Sequence, residues 1–484
     1  MHCGRRGKGH PNGPMPDREL TFIFDHATAT DYEMHITRTF KIAALTFVVL
    51  IAVTAKVLQY IGFRIHDWDT GIYSNVVWNI FSGNGFYSDI LSKNHLGEHF
   101  SPITAIFTPF YLIWPSALWL VMAQGLAVGL TCVLLYFYGR KFFSDARTQH
   151  APLLALVFSV WALFFPPLTA AMLFQFHPST LAIPFLAGAL LALEYRRNLF
   201  FWMCVGLIFI SKENGALAIL GLGIYAALVQ QRYQMGLLLA AMAVLGALVS
   251  LGIVIPAFQE DNWHHYSRLD PFADLGWKAL YLTGLLGGLL FLPLACWRAL
   301  ICAAPLVLLN LSVGYWPQYS LGYQYNDFAS IFLIVAAMHG TIPVLSRLSK
   351  LLDGRRSPAV TTVIISSTCI ASLVGVGLIA RDFALSWPQD HHWQLHRELT
   401  KYRAHPDSVG FSADYRLGPY LSARRRFVPL RSPENLERLK QHDLVLITPI
   451  GDTRNFNHMK TMMEGNNTWK LDYQSPVIRV YSRN

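Results

Sequence analysis

The sequence predicts an all-α polytopic membrane bundle of about eleven transmembrane helices, C-terminally extended by a small extracytoplasmic α/β domain. Three observations lead there. Of 484 residues, 53% are hydrophobic and only 14% charged, with a mean hydropathy of +0.34. A soluble chain carries about 25% charged residues, so this one lacks the polar surface to stay in water. The apolar residues fall into runs of roughly 15–23, as helices crossing a hydrocarbon layer about 30 Å thick require. Finally, the loops between the runs alternate in charge.

The runs lie at about 40–60, 115–137, 151–173, 178–195, 198–211, 215–230, 236–258, 277–295, 298–314, 328–346 and 359–380. The pairs 198–211/215–230 and 277–295/298–314 are short enough to be broken or re-entrant helices. Residues 1–38 hold no apolar run and read as an unstructured cytoplasmic tail; they are not a signal peptide, because the following run is full length and lacks a small-residue cleavage site. Met34 offers a second possible start, which would leave residues 1–33 untranslated. The membrane domain spans 39–380, and its loop 62–114 is long and aromatic, with amphipathic stretches at Ile72–Phe81 and Ile103–Ile113.

Residues 381–484 are a different kind of sequence. Strand-like runs at Val409–Ala413, Phe427–Leu430 and Leu444–Thr448 alternate with helix-like stretches at 415–422, 433–441 and 453–464, the pattern of a small α/β layer. Arg424-Arg425-Arg426 reads as a solvated or headgroup-facing charge run.

Orientation follows from positive charge. With the N-terminus in the cytoplasm, Arg140-Lys141, Arg147, Arg196-Arg197, Arg232, Arg298 and Arg347 to Arg356 fall inside. Asp67, Asp69, Asp89, Glu98, Glu260, Asp261, Asp270, Asp274 and Asp327 fall outside, with the C-terminal domain. The expected location is the bacterial inner membrane. The formal charge of +10 is then a property of cytoplasmic loops and the C-terminal region, so no nucleic-acid partner is expected. Cys3, Cys132, Cys204, Cys296, Cys302 and Cys369 contain no Cys-x-x-Cys pair, and all but Cys3 sit in apolar runs as small hydrophobes.

Ionisable residues near membrane depth are costly and single themselves out. After the first span comes His66-Asp67-Trp68-Asp69-Thr70-Gly71. Two carboxylates one residue apart can hold a divalent cation (Mg or Mn), or one can act as a base while the other orients it; Asp69-Thr70 is equally a helix N-cap. His95, Glu98 and His99 can ligate a metal, bind phosphate or serve as acid and base, or form a solvated loop before Ser101-Pro102. His177 sits beside Pro178, where an interface histidine is the plainer alternative. Lys212-Glu213 lies between two short runs, either self-paired or offering a cation to a lipid-linked phosphate. Aromatic residues from Tyr315 to Tyr325, with Gln324 and Asp327, suit membrane anchoring or stacking of sugar and polyprenyl groups. Glu260 to Asp274, with His264 and His265, has the place of a lid.

Taken in order, Asp69-Thr70-Gly71-Ile72-Tyr73, Trp78-Asn79, His99-Phe100-Ser101-Pro102, Phe176-His177-Pro178, Lys212-Glu213 and Leu417-Gly418-Pro419-Tyr420-Leu421-Ser422-Ala423-Arg424 resemble the polytopic membrane family called domain of unknown function 2079, over roughly residues 60–440. That family in turn resembles the membrane glycosyltransferases of the C-type fold. The resemblance implies a polyprenyl-phosphate-linked sugar as partner and an acidic residue in the first extracytoplasmic loop, here Asp69, with Asp67 as an additional acid. His99, His177 and Lys212-Glu213 match other polar positions. Gln324-Tyr325 departs from it, since the family tends to show His-Tyr there.

The expected function is transfer of a sugar from a polyprenyl-phosphate donor to an extracytoplasmic acceptor. Asp69, Asp67 and His99 would be catalytic, and Asp67 and Asp69 would hold any divalent cation. His66, Glu98, His177, Lys212, Glu213, Gln324, Tyr325 and Asp327 would bind substrate. A transporter or flippase of a lipid-linked or anionic solute is the alternative, with Lys212-Glu213 in a broken helix; a non-catalytic assembly or sensory role is a third.

Overall fold

The computed structural model describes the chain except residues 1–17, 149, 260–268, 352–356, 431–438, 440, 441 and 466. The proposed lid residues Glu260, Asp261, His264 and His265 therefore lie outside the described residues, as does most of the helix-like stretch 433–441. The first helix is Arg18–Ile61, so it begins inside the segment that the sequence reads as a tail; absence of an apolar run excludes a span there, not a helix.

Among the described residues, six helices are long and apolar enough to cross a membrane: Arg38–Ile61, Leu118–Asp145, Pro178–Tyr195, Tyr233–Phe258, Gln324–Leu348 and Ile365–Ser386. A seventh is the pair Ala151–Phe164 and Pro166–Leu173, bent by 51°. The bend has a plain cause: Pro166 and Pro167 cannot continue the ladder of the helix before them. These seven account for seven of the eleven runs. The other four are shorter: Asn198–Phe209 has 12 residues, about 18 Å of helix, and Gly215–Val229 and Trp297–Ser312 are likewise short. The fourth, Leu275–Gly287, ends at Gly287-Gly288, where Leu290 and Phe291 take left-handed backbone angles.

The first two spans pack through glycine. A Cβ on Gly125 would come within 2.6 Å of the Ala52 carbonyl oxygen, and one on Gly129 within 2.8 Å of Val49 Cα. Gly125-x-x-x-Gly129 thus does what small residues four apart do in membranes, letting two backbones touch.

The loop after the first span forms two short strands, β1 (Tyr87–Ser88) and β2 (Lys93–Asn94), and the helix Ile72–Phe81 falls where the amphipathic stretch predicts it. The second stretch is Pro102–Phe107 followed by Thr108–Ile113, and it leaves Leu112 and Ile113 about three-quarters exposed (74% and 76%). An apolar ridge so exposed suits the interface of a bilayer.

The C-terminal region folds as a five-stranded sheet of β3 (Phe411–Asp414), β4 (Phe427–Leu430), β5 (Leu444–Ile447), β6 (Trp469–Gln474) and β7 (Arg479–Arg483), in the order β4-β3-β5-β7-β6. β3 runs parallel to both neighbours, while β7 is antiparallel to β5 and β6. β3 and β4 are buried along their whole length, as strands covered on both faces are. One face packs Phe411, Ala413, Leu417, Tyr420 and Val480 into a core shared with Tyr60, Phe63, Ile65, Ile72 and Val76. The sheet is therefore continuous with the loop that carries Asp69.

Arg424 corrects the reading of the basic run. It is buried, its guanidinium lies 3.6 Å from the Phe411 ring centre, and it donates to the Tyr402 carbonyl at 3.1 Å. Asn75 of the loop donates to the Ser422 and Arg424 carbonyls at 2.9 and 3.0 Å. Arg424 looks solvated in one dimension because its cation–π partner, Phe411, lies on β3.

Asp414 ends β3, where parallel strands gather polar groups. It accepts from Arg416 N at 2.9 Å and Asn455 Nδ2 at 3.2 Å, yet burial pushes its carboxyl up to about 6. A raised carboxylate pKa means that the folded form holds a proton the unfolded form releases. Stability from this group is therefore lost as pH rises from about 3.9 through about 6. Asp414→Asn should raise the melting temperature at pH 7.5, by up to about 2–3 kcal/mol of stability, and leave it unchanged at pH 4. Melts across that range check the sign.

Candidate functional site

Asp69 lies in a single π-helical turn, Asp67–Gly71, that joins the loop to the Ile72–Phe81 helix. Such turns recur at functional sites because they turn side chains out of helical register. The turn is held from behind. Gln175 Oε1 accepts from His66 N at 3.1 Å and from Thr70 Oγ1 at 2.8 Å, and Thr70 Oγ1 in turn accepts from Phe176 N at 3.1 Å. These bonds tie the Asp69 turn to the segment that carries His177.

That segment ends the bent helix Pro166–Leu173 and begins Pro178–Tyr195. Carbonyls released at a helix end cannot stay unpaired at membrane depth. Three buried side chains satisfy them: Lys56 Nζ donates to the Phe174 oxygen at 2.6 Å, Gln59 Nε2 to the Leu173 oxygen at 2.8 Å, and Gln124 Nε2 to the Ala171 oxygen at 3.1 Å. Gln124 Oε1 also accepts from His177 N at 2.9 Å, so the histidine is fixed from its own backbone.

The elements converge on a cavity of about 390 Å³ lined by His66, Trp68, Asp69, His99, Phe174, His177, Lys212, Tyr315, Gln318, Tyr323, Gln324 and Tyr325. His177 Nδ1 faces the Gln175 oxygen at 3.1 Å, which makes it the donor; Nε2 lies 3.4 Å from Asp69 Oδ1 and 3.0 Å from the Gln324 amide. Burial alone would raise the Asp69 carboxyl. The adjacent His177, with His66 and Lys212 further off, outweighs burial and holds it below the ordinary carboxylate range. Asp69 is an ionised acceptor at neutral pH.

Lys212 and Glu213 are both buried, but they are not a self-contained ion pair. Glu213 is bound by His99 Nδ1 at 2.9 Å and Phe100 N at 3.0 Å. Lys212 lines the cavity, and its side chain makes no hydrogen bond or ion pair among the described residues. It thus lines the same cavity as the carboxylate of Asp69.

Five of the sequence-predicted positions do not line the cavity. Asp67 is fully buried, donates its N–H to the Tyr415 oxygen at 2.9 Å and packs under Gly418 of the sheet domain. Glu98 pairs with Lys93. Glu213 stands behind His99. Asp327 is buried, accepting from Thr180 Oγ1 at 3.1 Å and from its own helix at Phe328 N. His95 packs against Tyr73 with ring centres 4.7 Å apart, where burial and then His99 push its ring down to about 3, so it stays neutral. The remainder, His66, Asp69, His99, His177, Lys212, Gln324 and Tyr325, come together.

The expected divalent cation on Asp67 and Asp69 needs two carboxylates on one point. Here a one-residue offset in a tight turn sends them to opposite sides. Among the described residues no group of three or more His, Cys, Asp or Glu side chains is placed to hold a metal ion, and no step below is routed through a metal.

Sequence reasoning missed Trp68, Phe174 and Gln318 as cavity walls, and Lys56, Gln59 and Gln124 as supports. Lys56 carried a signal: a cation inside an otherwise apolar span is seldom idle.

A family model of predicted membrane proteins, DUF2079, matches residues 60–474. The chain belongs to that family. The match runs from the end of the first span through β6, so it takes in the cavity and four of the five strands of the sheet braced against it. Two crystal structures of ArnT from Cupriavidus metallidurans share the fold. The one bound to undecaprenyl phosphate aligns over 90% of this chain and 98% of its own, with a TM-score of 0.50 and 13% identity. The apo form aligns over 91% and 98%, with a TM-score of 0.53 and 13% identity. No curated protein matches the chain.

Proposed function

We propose that the chain is a membrane glycosyltransferase that moves a sugar from a polyprenyl-phosphate donor to an acceptor on the extracytoplasmic side. The observation that carries this reading is one cavity holding the ionised carboxylate of Asp69 and the ammonium of Lys212 within aromatic walls. The resemblance to C-type glycosyltransferases supports it. So does the ArnT-like fold, one of whose solved structures holds undecaprenyl phosphate. The extracytoplasmic placement rests on loop charge: Lys141, Arg147, Arg196, Arg197 and Arg232 lie at the end of the bundle away from the cavity.

The roles follow from chemistry. An acceptor hydroxyl attacks the anomeric carbon, its proton passes to Asp69, and the bond from that carbon to the phosphate oxygen breaks. Negative charge then grows on the departing lipid phosphate, where Lys212, His99 and His177 stabilise it. Tyr315, Tyr323, Tyr325 and Trp68 offer ring faces to the sugar and the prenyl chain.

Mass spectrometry of lipids retained by the purified protein tests the reading. A polyprenyl phosphate or its sugar conjugate is expected, and Lys212→Gln should cut its retention about tenfold, as loss of one charge-assisted contact does. Retention of an unrelated soluble anion, and no polyprenyl lipid, would shift the case to transport.

A further inference from the structure

The helices Leu118–Asp145 and Pro178–Tyr195 bring their last turns to a second cavity, at the end of the bundle away from Asp69. It measures about 490 Å³, larger than the first, and is lined by Lys141, Asp145, Glu194, Arg196, Gln230, Arg232 and His339 among others. Its floor is a directed chain of hydrogen bonds. Tyr225 Oη donates to Glu194 Oε1 at 2.6 Å, so it must accept from Tyr138 Oη at 2.6 Å, and Tyr138 must accept from His339 Nε2 at 2.8 Å. Gln230 Nε2 adds a second bond to the same Glu194 oxygen at 2.8 Å. One oxygen of the carboxylate is thus held by two donors.

The rim differs. Lys141 pairs with Asp145, but Arg196 and Arg232 make no side-chain hydrogen bond or ion pair among the described residues. Arg196 also closes its helix with a φ of 54°, in the left-handed region, and Gln231, just before Arg232, has a φ of 58°. Glycine is the usual residue at such a helix end, because a side chain there crowds its own backbone. Helix C-termini attract cations in any case. That attraction explains basic residues nearby, but not an arginine at the position where glycine is the more stable choice.

We propose that this second cavity binds a phosphate-bearing anion, held at the rim by Arg196, Arg232 and Lys141. The engaged carboxylate of Glu194 keeps the phosphate off the floor and leaves that space to the uncharged or cationic remainder of the ligand. Guanidinium groups suit the task because their fork of donors matches phosphate oxygens. Two sources share this chemistry: a phospholipid headgroup from the adjoining leaflet and a soluble phosphate ester.

The test uses the purified full-length chain carrying Lys212→Gln, so that the first cavity does not report. Inorganic pyrophosphate and dioctanoyl phosphatidic acid are titrated separately, with dioctanoylglycerol as the uncharged control, and melting temperature and affinity are read. A rise with phosphatidic acid alone assigns the site to lipid, and a rise with pyrophosphate assigns it to a soluble ester. Arg196→Gly should melt no lower than its parent without ligand, yet bind about tenfold more weakly, and Arg232→Gln should weaken binding similarly. Stabilisation by neither probe overturns the proposal. So does unchanged affinity in both variants, or an equal loss on Arg347→Gln, a basic position outside the cavity.

Discussion

Asp69→Asn is expected to lower sugar transfer by about 10²–10⁴-fold, the contribution of a positioned general base, while the protein still folds and still retains its lipid. Asparagine keeps the shape and removes the charge. The contact to His177 is long, at 3.4 Å, and the Asp69 side chain is 30% exposed. Its loss should therefore change stability by less than about 1 kcal/mol. The pH profile gives a second check. Because Asp69 is held below the ordinary range, its carboxylate is present above its folded pKa and is lost only as pH falls through that value. The acid limb that disappears with Asp69→Asn should thus lie below about pH 4. Transfer at the parent rate by Asp69→Asn would remove the mechanism outright.

Gly418→Ala is expected to damage stability and transfer together. A Cβ on Gly418 would stand 2.4 Å from Asp67 Cβ and 3.2 Å from its Cα. Neither atom can swing aside, since Asp67 is fixed by its N–H bond to the Tyr415 oxygen at 2.9 Å. Overpacking of this kind costs about 1–3 kcal/mol. The relief available is a shift of the π-helical turn, which carries Asp69 two residues on. Displacement by about 1 Å can cost on the order of 100-fold in rate. Melting and transfer assays, compared with Gly206→Ala, read both effects. Gly206 has open space around its Cβ position, so that control should be neutral or slightly stabilising. A Gly418→Ala protein with normal melting and normal transfer would show that the sheet does not brace the turn.

The membrane character of the chain was legible because span length and charge asymmetry are properties of local sequence. Seven runs match helices long and apolar enough to cross, counting the bent pair as one. β4 matches residue for residue, and β3 and β5 overlap the predicted strands within two residues. β6 and β7 were not visible. Their side chains alternate in burial too weakly to separate a strand from a loop, as Trp469–Gln474 shows, buried only at its first residue.

The site divides in the same way. Residue type and chain position were enough to bring forward His66, Asp69, His99, His177, Lys212, Gln324 and Tyr325, because polar groups at the ends of apolar runs stand out. The resemblance put Asp69 ahead of Asp67, but the residues alone did not decide which carboxylate faces the cavity. Asp67 and Asp69 are equivalent in a string, and only the tight turn and Gly418 send one under the sheet and the other towards His177. The partner of Lys212-Glu213 was likewise ambiguous between self-pairing and an open cation. His99, 114 residues away in sequence, settles it by taking Glu213 at 2.9 Å. The sequence by itself determined a membrane bundle, its C-terminal sheet and the polar residues available to one end. Tertiary structure alone decided which of them share a cavity, because burial, facing direction and charge pairing depend on neighbours more than a hundred residues apart.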